Sequence, residues 1–139
     1  MRRLSDIVFN QQPITLAETA SVKQACQAMR DRRAGSVLVT NTSGELVGIF
    51  TGRDAVSRVL AAGKSAVNTH LCDVMTANPV SMSPEKTAID ALRIMWDGGF
   101  RHVPVVRSGE ILGVVSRGDF KGDEQDRLDE ERNLWEHMR

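Results

Sequence analysis

"GIFTGRD" occupies residues 48–54 and "GVVSRGD" residues 113–119. Each begins with glycine, passes through two apolar residues to a hydroxyl residue, and ends three positions later in aspartate. The likeness spreads outward from there. "SGELVGIFTGRD" (43–54) parallels "SGEILGVVSRGD" (108–119), and "TASVKQACQAMRDRRAGSVLV" (19–39) parallels "EKTAIDALRIMWDGGFRHVPVV" (85–106). "LSDIVFNQQPITL" (4–16) parallels "LCDVMTANPVSM" (71–82), with one extra residue in the first copy. One small unit is written twice. Two copies are too few for a solenoid, so a pseudo-symmetric pair is expected.

Within the second copy, Ser83-Pro84-Glu85 resembles a helix start, because a capping residue precedes a proline suited to the first turn. Ala88, Leu92, Met95 and Trp96 follow at helical spacing, and Gly98-Gly99 closes the helix. "HVPVV" and "ILGVVS" read as strands around the turn "RSGE". In the first copy Val22, Cys26 and Met29 face inward on a helix, "SVLVT" and "LVGIFT" are strands, and Asp54 opens the helix "DAVSRVLAAG". The expected fold is mixed α/β (α+β): two domains, each a small three-stranded sheet with flanking helices, packed sheet to sheet. Such a sheet is marginal alone, whereas two together make an adequate core. The expected domains are residues 1–65 and 66–122, followed by a charged helix over 123–139. In that tail Leu128 and Trp135 share one side, and Asp129-Glu130-Glu131 form a solvated face.

The chain has 139 residues with 18 Lys plus Arg and 18 Asp plus Glu, so the net charge is zero and gives nucleic-acid or anionic-membrane binding no general support. No apolar run approaches the roughly 20 residues of a membrane span, and the N-terminal "MRRLSDIVFNQQP" is no secretory signal. Cys26 and Cys72 stand apart from any metal-spaced cluster and read as buried, reduced thiols in a cytoplasmic protein. His70, His102 and His137 have no metal-ligand spacing. There is no phosphate-cradling Gly-x-x-x-x-Gly-Lys motif and no Gly-x-Ser-x-Gly elbow, so an enzyme is not expected and no catalytic residue is assigned.

These features together resemble a tandem pair of cystathionine-beta-synthase (CBS) domains. "GIFTGRD", "GVVSRGD", the preceding "GSVLVT" and "RHVPVV", and "CDVMTANPVSMSP" carry the resemblance, over about residues 3–122. It implies two domains related by a pseudo-twofold axis, two clefts between them, an adenosine-containing ligand and a homodimer formed through helices.

The chemistry suits that implication. A carboxylate can accept hydrogen bonds from both ribose hydroxyls, and a nearby Thr or Ser hydroxyl can donate to a phosphate. Thr51 with Asp54, and Ser116 with Asp119, supply these groups; Arg53 and Arg117 lie inside the same motifs. By resemblance, Ile14, Thr15, Val80 and Ser81 line the adenine slot, with Val37, Val103 and Pro104 on the following strands. Arg101 and His102 precede the second strand, where the family often carries a phosphate-reaching cation, whereas the first copy has Gly35 and Ser36 there. The two sites are therefore expected to be unequal. The leading expectation is a regulatory sensor that needs no cofactor, takes AMP, ADP, ATP or S-adenosylmethionine as ligand, and signals to a separate partner protein. The alternative is a dimerising adaptor with vestigial clefts, since each aspartate could serve only to cap a helix.

Overall fold

The structure, a computed structural model, describes the backbone of residues 1–137 and the side chains of residues 1–134. In chain order the elements are α1 (Leu4–Ile7), β1 (Thr15–Ala17), α2 (Val22–Arg32), β2 (Ser36–Thr40), β3 (Leu46–Thr51) and α3 (Gly52–Asp54), which runs on as a π-helix (Ala55–Leu60). Then come α4 (Leu71–Val74), β4 (Thr76–Ala77), α5 (Ala88–Gly98), β5 (His102–Arg107), β6 (Glu110–Ser116), a 3-10 turn (Arg117–Asp119) and α6 (Gly122–His137). They form two compact units. The first comprises residues 12–80 and 109–111, and the second residues 1–11, 81–108 and the chain from Leu112 onward.

The first unit holds a four-stranded sheet in the order β1-β2-β3-β4. β1 runs parallel to β2, while β2–β3 and β3–β4 are antiparallel. Helix α2 starts on a reciprocal cap: the Gln24 N–H donates to Ser21 Oγ at 3.1 Å, and the Ser21 N–H to Gln24 Oε1 at 2.8 Å. Val22, Ala25 and Met29 of this helix, Val37 and Val39 of β2, Phe50 of β3, and Leu71 and Val74 of α4 share one core. Cys26 is only partly buried and Cys72 is exposed, so the expectation of two buried thiols fails. Burial first, then the charges of Asp73 and Glu18, push the Cys72 thiol above its ordinary pKa.

Both units depart from the expected three strands: the first gains the two-residue β4, while in the second β5 and β6 form a two-stranded sheet and the third strand shrinks to a single parallel bridge between Met82 and Val105. The prolines explain this shrinkage. In the first unit the Leu38 N–H donates to the Ile14 carbonyl at 2.8 Å and the Glu18 N–H to the Thr40 carbonyl at 3.2 Å, one bond at each end of β1. The matching positions in the second copy are Pro104 and Pro84, which have no N–H to donate. Pro84 also does not open the helix, since α5 begins at Ala88 on the N-cap Thr87, with Gly99 in the left-handed conformation at φ 70° after its end. Leu92 and Met95 are buried as expected, but Trp96 is 49% exposed. Its ring lies 4.0 Å from the Arg132 guanidinium carbon and 5.9 Å from that of Arg117. The Arg93–Glu131 and Arg132–Asp97 ion pairs, at 2.9 and 3.3 Å, tie α6 to α5. Leu128 of α6 is buried and Leu134 is exposed. Trp135 and Met138 lie outside the described side chains.

The packing units cut across the sequence repeats. The segment that opens the first repeat packs in the second unit, and the segment that opens the second repeat packs in the first. In the second unit the N–H groups of Leu4 and Ser5 donate to the carbonyls of Lys86 and Pro84 at 2.8 and 2.9 Å. In the first unit those of Leu71 and Cys72 donate to Ala20 and Glu18 at 2.9 and 3.1 Å. Leu4 and Leu71, equivalent in the repeat, are both fully buried.

This exchange explains the leading glycine of each motif. A Cβ on Gly113 would stand 2.8 Å from Val8 Cβ and 2.5 Å from Gln11 Oε1; one on Gly48 would stand 2.2 Å from Met75 Sδ. Gln11 imitates a neighbouring strand at this place, donating Nε2–H to the Val114 carbonyl at 3.0 Å and accepting the Val114 N–H at 2.6 Å. The glycines seat Val8 and Met75, the same position of the two exchanged segments, rather than admitting a ligand. Gly113→Ala should cost about 1–3 kcal/mol in a urea titration, because Val8 and Gln11 are both anchored. Gly48→Ala should cost less, since Met75 is flexible and can turn aside. Equal losses at the two sites would contradict this account.

Candidate functional site

In the first unit, Ser36 and Thr51 sit opposite each other where β2 begins and β3 ends. The Gly52 N–H donates to the Gly35 carbonyl at 3.2 Å, closing the ladder just before α3. Thr15 lies beside Leu38 on β1, so Ile14, Thr15, Gly35, Ser36, Thr51 and Asp54 all belong to one end of the β1-β2-β3 layer. The second unit repeats the device: the Arg117 N–H donates to the Arg101 carbonyl at 2.9 Å. Each motif is thus pinned to the residue two before the first buried valine of its partner strand.

The hydroxyl and the carboxylate of each motif are already joined. Thr51 is the N-cap of α3; its Oγ accepts the Asp54 N–H at 3.3 Å, and Asp54 Oδ2 in return accepts the Thr51 N–H at 2.9 Å and its hydroxyl at 3.1 Å. Asp119 Oδ2 accepts the Ser116 N–H at 2.7 Å and its hydroxyl at 3.2 Å. Both motifs are therefore capping boxes in which the hydroxyl residue is the cap and the aspartate stands three residues on. The hydroxyl protons point at the carboxylates, so neither is poised for a phosphate as the sequence reading expects. One oxygen of each carboxylate is left over for other donors.

That remaining oxygen differs between the copies. Asp54 Oδ1 lies 3.5 Å from Arg58 Nε, one turn along the π-helix. Asp119 is exposed, and among the described residues its second oxygen makes no ion pair or hydrogen bond. The second motif ends in a 3-10 turn followed by extended Phe120, so no basic residue one turn on meets the carboxylate as Arg58 meets Asp54; Arg2 is a neighbouring cation but donates to the Asp119 carbonyl, at 2.8 Å.

The other candidates divide by burial. Val37 and Val103 are fully buried, each in the core of its own unit, and Ser36 is 5% exposed. Arg53, Arg101, Thr15, Gly35, Val80 and Ser81 are exposed; His102 is half-buried and Pro104 buried. Arg117 is turned toward Trp96 and donates to Gln125 Oε1 at 3.4 Å, whereas Arg101, directly before β5, is exposed. A cavity of about 540 Å³ lies along α5 and α6, lined by Thr87, Asp90, Arg93, Glu130, Glu131 and Leu134 among others. None of the motif residues lines it. No helix among the described residues is long and apolar enough to cross a membrane.

The duplicated strand–turn–strand units with a capping box after each second strand match known proteins. The family model described as "CBS domain" matches residues 4–61 and 71–122. A CBS domain-containing protein of Arabidopsis thaliana is 40% identical over 102 residues, which is 73% of this chain and 19% of that protein. The chain thus spans about a fifth of the length of this relative and of a second such protein from the same plant. The crystal structure of a CBS-domain containing protein from Agrobacterium tumefaciens superposes with a TM-score of 0.77 at 31% identity, covering 84% of this chain and 89% of that one. A CBS domain protein of Pyrobaculum aerophilum complexed with AMP superposes with a TM-score of 0.81 at 23% identity, covering 91% and 98%. With both copies matched in order, the chain belongs to the CBS domain family.

Proposed function

We propose that this chain is a regulatory module that binds an adenosine-containing ligand of the AMP, ADP, ATP or S-adenosylmethionine type and signals to a partner protein. The observation that carries the reading is the exposed Asp119 carboxylate. One oxygen is held by the Ser116 cap, which fixes the group in place, and the other is turned to no partner among the described residues. A ribose offers the two hydroxyl donors that such a group accepts. The superposable protein complexed with AMP supports the ligand class. Asp54, whose second oxygen faces Arg58, makes the weaker site. A cytoplasmic homodimer fits this role, with Val56 and Leu60 of the π-helix, 58% and 73% exposed, as its apolar face.

The same geometry favours a second reading, the dimerising adaptor, because both aspartates have a structural task without any ligand. A thermal-shift screen of the four ligands separates the two. A ligand at 100 times its dissociation constant should stabilise by about 2.7 kcal/mol. Asp119→Asn retains an acceptor for the cap and should remove most of that shift; Asp54→Asn should leave most of it. No shift with any of the four would defeat the proposal, and equal binding at two sites by calorimetry would defeat the ranking of Asp119 over Asp54.

A further inference from the structure

Residues 70–73 read His-Leu-Cys-Asp, and their fold sorts them into two sets. Leu71 is fully buried, as is Val74 one turn on, and both belong to the core of the first unit. The backbone between them is tied down: His70 bridges Ser21, the Cys72 N–H donates to the Glu18 carbonyl at 3.1 Å, and the Asp73 N–H to the His70 carbonyl at 3.1 Å. Because the apolar pair is driven inward, His70, Cys72 and Asp73 are all left on the surface. An imidazole nitrogen, the thiol sulfur and a carboxylate oxygen lie within 4.8 Å of one another there.

We propose that His70, Cys72 and Asp73 form a binding site for a borderline-soft divalent cation such as Zn(II). The donor set is one soft thiolate, one imidazole and one carboxylate, the mixture that zinc takes. The spacing agrees. Zinc–sulfur and zinc–oxygen distances of about 2.3 and 2.0 Å put the two donors of a tetrahedron about 3.5 Å apart. Cys72 Sγ and Asp73 Oδ1 already stand 3.9 Å apart. The remaining closure needs only rotation of exposed side chains on a fixed backbone. Three ligands from one turn leave a fourth position open to water or to a donor from another molecule. Binding displaces the Cys72 thiol proton to solvent, so uptake strengthens as pH rises.

Cobalt(II) serves as the probe on the full chain, because a thiolate ligand produces a charge-transfer band; zinc affinity follows from competition with a chromophoric chelator. The expected result is one cobalt per chain with a thiolate band. Cys72→Ser should abolish the band, and His70→Ala and Asp73→Asn should each weaken zinc by about tenfold or more. Cys26→Ser should change neither. All three ligand positions are exposed, so these variants should keep the far-ultraviolet dichroism of the parent. Absence of a band overturns the proposal, as does a band that survives Cys72→Ser. Unchanged zinc affinity in His70→Ala would reduce the site to a lone thiol and overturn it equally.

Discussion

Leu4→Ala should loosen the second repeat, although Leu4 stands at the head of the first. Leu4 belongs to the core of the second unit: it is 0% accessible and packs with Ala91, Met95, Val103, Val105 and Val115. Removing its isobutyl group deletes apolar contact and leaves a cavity, a loss of about 2–5 kcal/mol. The twin substitution, Leu71→Ala, removes the equivalent side chain from among Val22, Val37, Phe50 and Val59 and should cost a similar amount. Hydrogen exchange distinguishes them. Leu4→Ala should reduce protection most in α5 and β5, Leu71→Ala most in α2, β2 and β3. If Leu4→Ala instead exposed β2 and β3 first, the exchange of opening segments would be wrong.

Removing Glu124 should have the next largest effect. Its carboxylate is 8% exposed, meets Arg2 Nη2 at 2.6 Å and Nε at 3.2 Å, and accepts the Lys121 N–H at 2.8 Å at the start of α6. Arg2 also donates to the Asp119 carbonyl at 2.8 Å, so one guanidinium links the N-terminal segment, the second motif and the last helix. Glu124→Ala strands a half-covered cation and an N–H. A loss of about 3 kcal/mol is expected, the lower part of the range for a broken buried pair, because Arg2 remains 25% exposed. Burial by itself would raise the Glu124 pKa; the Arg2 hydrogen bond, the Lys121 N–H and the Arg2 charge outweigh it and hold the group below the ordinary glutamate value. A carboxylate with a depressed folded pKa contributes stability that is complete above its unfolded pKa and is lost as pH falls through the folded one. Asp90, lowered chiefly by the Thr87 N–H, adds to the same acid-side loss. The parent should therefore lose stability faster on acidification than Glu124→Gln, measured by urea midpoints across the acid range. Parallel curves would show that Glu124 contributes no pH dependence.

Much of the local structure was legible because it is local. Strands β2, β3, β5 and β6 follow from short apolar runs between turn residues. The helix starts read less well: α5 opens on the reciprocal cap Thr87–Asp90 and not at Ser83-Pro84, and α3 is capped by Thr51 rather than Asp54. What could not be read locally is what each surface meets. Trp96 continues the helical spacing of Leu92 and Met95, yet it faces Arg132 and Arg117 because the tail helix offers cations there. Cys72 sits in an apolar-looking "LCDVM" but is turned out by the stronger demand of Leu71 and Val74 for the core. A periodic pattern states that a face is apolar and leaves open which neighbour covers it.

By itself, the sequence determined that one unit is repeated, which family the repeat resembles, and which hydroxyl and carboxylate pair recurs. Tertiary structure decided three things that spacing does not encode. It assigned the opening segment of each repeat to the other repeat's core, since buried area is gained wherever complementary apolar faces meet, irrespective of chain order. It gave the motif glycines to the seating of Val8 and Met75, because only a missing Cβ lets those side chains approach. And it distinguished two chemically identical aspartates, by carrying Arg58 back to Asp54 on a helix and turning the chain away after Asp119.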